Sequence, residues 1–102
     1  MKYDKLVRDG ILDIILKSGK KPTYKFVKGD ELMSYLSKKI GEEADEYQKS
    51  RALLELADLI EVIMAIADYE GLSWEQLMAM RERKKKTRGG FEKGIVLQDI
   101  SE

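Results

Sequence analysis

The sequence predicts an all-α fold: a helical bundle of about four helices with an antiparallel central hairpin and at most two short terminal β-strands. Three observations predict it. Apolar residues recur at helical spacing through several long segments. Clusters of Gly, Ser and Pro punctuate those segments, and the only proline, Pro22, lies between two of them. The length, 102 residues, suits a single domain spanning 1–102, since domains commonly run to roughly 100–200 residues. A globule of that size has a radius of gyration of about 13 Å.

Each element has its own signal. Over residues 6–17, Leu6, Val7, Ile11, Leu12, Ile14 and Ile15 approximate one helical face, and the run from Ser18 through Gly19 to Pro22 ends it. Residues 23–27 are β-branched and aromatic and read as a short strand. Asp30 suits the N-cap of a second helix over residues 31–48, with a stripe of Leu32, Leu36, Ile40 and Tyr47. The third helix, residues 52–70, is apolar over more than half its circumference and calls for cover on more than one side. Gly71 ends it, and Ser73 caps a fourth helix over residues 74–86. After Gly89 and Gly90, Ile95, Val96 and Leu97 read as a terminal strand able to pair with the Tyr24–Phe26 segment.

Composition excludes several chemistries. Nineteen basic and nineteen acidic residues balance, so no global field draws the chain to an anionic membrane or to nucleic acid, and neither is expected as a partner. There is no Cys and no His, which removes disulfides, thiol nucleophiles, Ser-His-Asp triads and the common zinc sites. Any metal must be held by oxygen, which favours Mg²⁺, Mn²⁺ or Ca²⁺. The N-terminal residues lack an apolar core of the signal-peptide kind, and the most apolar stretch, residues 53–67, is interrupted by Glu55, Asp58 and Glu61. A cytoplasmic protein is therefore expected.

The acidic residues of the second and third helices break the usual pattern of solvated decoration. Along the stripe Leu32, Leu36, Ile40, Glu43, Tyr47 the steps are four, four, three and four, so Glu43 stands where an apolar side chain belongs. Glu46 lies at the edge of the same face, and Glu55 and Asp58 share the narrow polar arc of the third helix. If the chain reverses near Lys49, Ser50 and Arg51, Glu46 comes level with Glu55, and Glu43 with Asp58. Four carboxylates then converge and repel, and a divalent cation resolves the conflict. The plain alternative is that Glu43 forms a core salt bridge with a Lys or Arg while the others face water. No Gly or Pro separates Gln48 from Ala52, so one continuous helix is a second alternative.

Arg81, Arg83, Lys84, Lys85, Lys86 and Arg88 form a dense positive run that leads into Gly89, Gly90 and Phe91. Cations in a last helical turn suit its dipole, and they also suit a phosphate clamp. Lys84, Lys85 and Arg88 are the candidate phosphate ligands, with Lys5 and Arg8 as further ones. Phe91, Trp74 and Tyr47 are aromatic residues able to stack on a base, though such residues at helical spacing more often serve a core.

The segment Glu42-Glu43-Ala44-Asp45-Glu46, followed by Glu55-Leu56-Ala57-Asp58, resembles the E-E-x-x-E … E-x-x-D signature of the all-α NTP pyrophosphatases, which include MazG-like proteins and phosphoribosyl-ATP pyrophosphohydrolase. The opening Tyr3-Asp4-Lys5-Leu6-Val7-Arg8-Asp9 and the late Arg88-Gly89-Gly90-Phe91-Glu92-Lys93-Gly94 resemble the small branch described as phosphoribosyl-ATP pyrophosphohydrolase-like. The resemblance implies a helical homodimer or homotetramer. It also implies Mg²⁺-dependent hydrolysis between the α and β phosphates of a nucleoside triphosphate, with Mn²⁺ as the alternative ion. It makes Glu43, Glu46, Glu55 and Asp58 metal ligands, with Glu42 and Glu43 catalytic and Glu42 an outer ligand or water-orienting base. The gap between Glu46 and Glu55 is shorter than in many relatives, which requires a tight turn. A helical interaction module or a nucleotide sensor is the rival function.

Overall fold

Four helices form among the described residues, and their boundaries have local causes. The computed structural model describes residues 4–101 and contains α1 (Asp9–Lys17), α2 (Gly29–Ser50), α3 (Leu53–Tyr69) and α4 (Trp74–Arg88). Tyr3 of the opening motif lies outside the described residues. α1 starts later than its periodicity suggests, because Leu6 and Val7 belong to a non-helical segment. That segment is tied down: the Tyr35 hydroxyl donates to Asp4 Oδ1 at 2.7 Å, and Arg8 reaches Asp58 of α3.

α2 begins at Gly29, and its N-cap position is Lys28, which makes no side-chain cap bond. Asp30 is thus not the N-cap. It sits in the first turn, where a negative charge suits the helix dipole, and its Oδ1 accepts from the Tyr69 hydroxyl at the far end of α3 at 3.2 Å. At the other end Arg51 takes the left-handed conformation (φ 59°, ψ 16°) and its N–H closes α2 on the Tyr47 carbonyl at 2.7 Å. Ser50 Oγ accepts from the Ala52 N–H at 3.1 Å. A non-glycine residue in this region costs about 1–2 kcal/mol. The helix breaks here all the same, so a continuous rod through residues 46–55 does not form.

What offsets that cost is the packing of α2 against α3, the main tertiary contact among the described residues. Leu36 of α2 and Val62 and Ala67 of α3 are buried there, each large apolar side chain contributing about 1.5–3 kcal/mol. α3 is apolar on its other side too, and Leu53, Leu56, Ile60 and Met64 form an exposed stripe at helical spacing. Within the described chain only the C-terminal end of α3 gains a second cover, from α4.

α4 opens with a capping box: Ser73 Oγ accepts from the Gln76 N–H at 3.1 Å, and Gln76 Oε1 accepts from the Ser73 N–H at 2.8 Å. Its first turns touch α3, and Trp74 lines a hollow of about 250 Å³ there with Met64, Ala67 and Leu72. From Ala79 onward every described residue is exposed.

The two terminal strands do not form; no strand occurs among the described residues. Phe26 is 87% exposed, and Ile95 and Val96 are about as open, so neither segment has a partner to complete a ladder. The extended end of the chain also explains why the radius of gyration is 18.0 Å rather than the expected value. No helix among the described residues is long and apolar enough to cross a membrane.

Candidate functional site

Helical phase and the two-residue link bring acidic side chains of α2 and α3 together. Glu43, Glu55 and Asp58 each offer a carboxylate oxygen, and the three lie within 4.8 Å of one another. Glu43 is only 7% exposed, the single charged residue in the buried set among the described residues. Its position on the apolar stripe is what puts it there. Glu46 is exposed on the rim and faces Glu55. Glu42, half-buried, stands one residue before Glu43.

Lys39 and Arg8 touch this cluster. Lys39 Nζ lies 3.5 Å from Glu43 Oε1 and 3.4 Å from Glu42 Oε2. Arg8 Nη2 lies 2.6 Å from Asp58 Oδ1. Even so, Glu43 Oε2 and Glu55 Oε2 are buried with no hydrogen-bond donor. Leaving a buried acceptor unmade costs about 1–3 kcal/mol, and more when it is charged. The salt bridge that offers a plain explanation for Glu43 is therefore present, but it satisfies one oxygen of two.

The electrostatics match. Burial pushes the Glu55 carboxyl above the usual carboxylate range, and the hydrogen-bonding approach and charge of Glu46, then the charges of Asp58 and Glu43, push it the same way. An acid raised in the folded state binds more protons folded than unfolded. Its contribution to stability is complete below its ordinary value of 4.5 and is lost as pH rises through the folded value. Without metal, the protein should therefore lose stability as pH climbs above that ordinary value, and Glu55→Gln should flatten the slope. Urea titrations at several pH values in chelator measure this; an unchanged slope in the variant refutes it.

The other predicted residues are placed differently. Arg8 stands at the cluster through Asp58, and Lys5 is exposed in the segment before α1. Lys84, Lys85 and Arg88 are exposed on the outer end of α4, and no ion pair among the described residues links them to the carboxylates. Phe91 is 98% exposed, Tyr47 half-buried. Sequence reasoning missed Lys39. Its signal was there: it lies three residues before Glu42 and four before Glu43, the spacings at which helical side chains meet. Comparisons with protein-family models, with curated proteins and with solved structures find no match to this chain.

Proposed function

We propose that the chain is a Mg²⁺-dependent nucleoside triphosphate pyrophosphohydrolase of the nucleotide-pool house-cleaning kind, cleaving the α–β anhydride to a nucleoside monophosphate and pyrophosphate. One observation carries the reading: two buried, donor-free carboxylate oxygens on Glu43 and Glu55, in a cluster that two helices assemble. All-oxygen donors of this charge fit a hard divalent cation, Mg²⁺ or Mn²⁺. In this reading α2 and α3 form an antiparallel hairpin, supported by the Asp30–Tyr69 bond near one end and the approach of Glu46 to Glu55 near the other.

Glu43, Glu46, Glu55 and Asp58 are the residues that would hold the ion, which when bound lowers the pKa of a water and polarises phosphoryl oxygens. Glu42, beside the cluster, takes the water's proton, and without His a carboxylate is the available base. Arg8, and Lys5 from the same segment, neutralise charge on the departing pyrophosphate, together with Lys84, Lys85 and Arg88. The exposed stripe Leu53, Leu56, Ile60, Met64 supports self-association as a homodimer or homotetramer; a cytoplasmic location belongs to the same proposal.

That same stripe favours the second reading, a helical interaction module without catalysis. A pyrophosphate-release screen over normal and damaged nucleoside triphosphates, with and without Mg²⁺, separates them. Metal-dependent release from at least one triphosphate is expected. No release and no effect of Mg²⁺ on melting leaves the interaction module; stabilisation by Mg²⁺ without release leaves a nucleotide sensor.

A further inference from the structure

Lys39 is the most buried cation in the ion pairs of the described residues: its side chain is 17% exposed, against 55% or more for Arg8, Lys25, Lys49 and Arg81. Burying an ammonium is unfavourable, and an exposed pair one turn apart would not require it. Here the ammonium bridges Glu42 and Glu43 at the inner edge of the acidic cluster. It leaves Glu43 Oε2 and Glu55 Oε2 without donors. The charge it supplies is thus enough to hold Glu43 in the apolar interface but not enough to satisfy the cluster.

We propose that Lys39 is the resident counter-ion of this site, a built-in positive charge that keeps Glu43 folded inward without metal and that a divalent cation must bind against. The inference rests on the metal reading above. A cation held by Glu43 stands a few ångströms from the Lys39 ammonium, and like charges at that range repel strongly where water is partly excluded. Lys39 thereby weakens metal binding while stabilising the metal-free fold, so the site half-fills at a higher free-ion concentration than the carboxylates alone would need.

The test compares wild type, Lys39→Met and Lys39→Arg with Mg²⁺ alone, by calorimetric titration and by melting temperature across Mg²⁺ concentrations. Met keeps the length and packing of the stem and removes the charge. Lys39→Met should melt lower than wild type in chelator, bind Mg²⁺ about tenfold or more tightly, and show a larger Mg²⁺-induced rise in melting temperature. Lys39→Arg should restore wild-type affinity. A merely structural lysine would lower the melting temperature equally with and without metal and leave affinity unchanged, and that result overturns the proposal. So does weaker binding by Lys39→Met, which would make the lysine an orienting group for Glu43. If Lys39→Met folds only on adding Mg²⁺, as followed by circular dichroism, the proposal stands; if it folds at no Mg²⁺ concentration, the proposal fails. A wild type indifferent to Mg²⁺ overturns the metal reading and this inference together, whereas a responsive wild type with an unaltered variant overturns the inference alone.

Discussion

Glu43→Gln is expected to reduce pyrophosphate release by more than about a hundredfold, beyond the loss usual for an outer-shell partner, since it neutralises a ligand rather than a neighbour of one. The Mg²⁺-induced rise in melting temperature should vanish with it. Metal-free stability should be preserved or raised, because the substitution keeps the shape of the side chain and removes one negative charge from a cluster that repels itself. Lys39 retains Glu42 as a partner. Turnover assays and urea unfolding with and without Mg²⁺ check both halves. A large loss of metal-free stability would mean that the Lys39–Glu43 pair is a structural bridge and that the acidic neighbours are incidental.

The second large effect falls on the fold. Leu36 is 5% exposed and is the α2 side of the α2–α3 interface. Leu36→Ala should destabilise the protein by about 2–5 kcal/mol, the range for opening a cavity at a buried leucine. That is a large fraction of the roughly 5–15 kcal/mol available to a domain. The urea midpoint, followed by circular dichroism, should fall accordingly. A shift of only a few tenths of a kcal/mol would show that the interface collapses around the gap or contributes little.

Much of this was legible from residue order, and the rest was not for identifiable reasons. The four helices follow from apolar periodicity and from stops such as Gly71, and the Ser73 cap from local chemistry. The inward position of Glu43 was visible as a carboxylate at an apolar position of a repeating stripe. The end of α2 was readable to within two residues from the polar break at Lys49, Ser50 and Arg51, but not what stops the helix there, because Arg51 adopts a backbone conformation that its side chain does not announce. The terminal strands were misread because β-propensity describes how a residue fits a sheet, and Tyr24 and Phe26 have no sheet to join. They pack instead edge to face against each other, with ring centres 5.7 Å apart. The clamp of Lys39 on two successive glutamates was overlooked because a lysine one turn before a glutamate is ordinary surface patterning unless the glutamate is known to be inside.

The link formed by Arg51 and Ala52 has a further consequence. One residue added to or taken from a helix rotates everything beyond it by about 100° and slides it by about 1.5 Å. An insertion or deletion at this joint would therefore dephase α3 relative to α2 and send Glu55 and Asp58 to a flank that Glu43 does not share. The described residues after Gly89 are all exposed and belong to no helix, so the length of that segment carries no such constraint. Variation in chain length should be tolerated freely at that end and refused at the joint, so the alignment of the acidic rungs depends on a spacer of fixed count rather than on the identity of its residues.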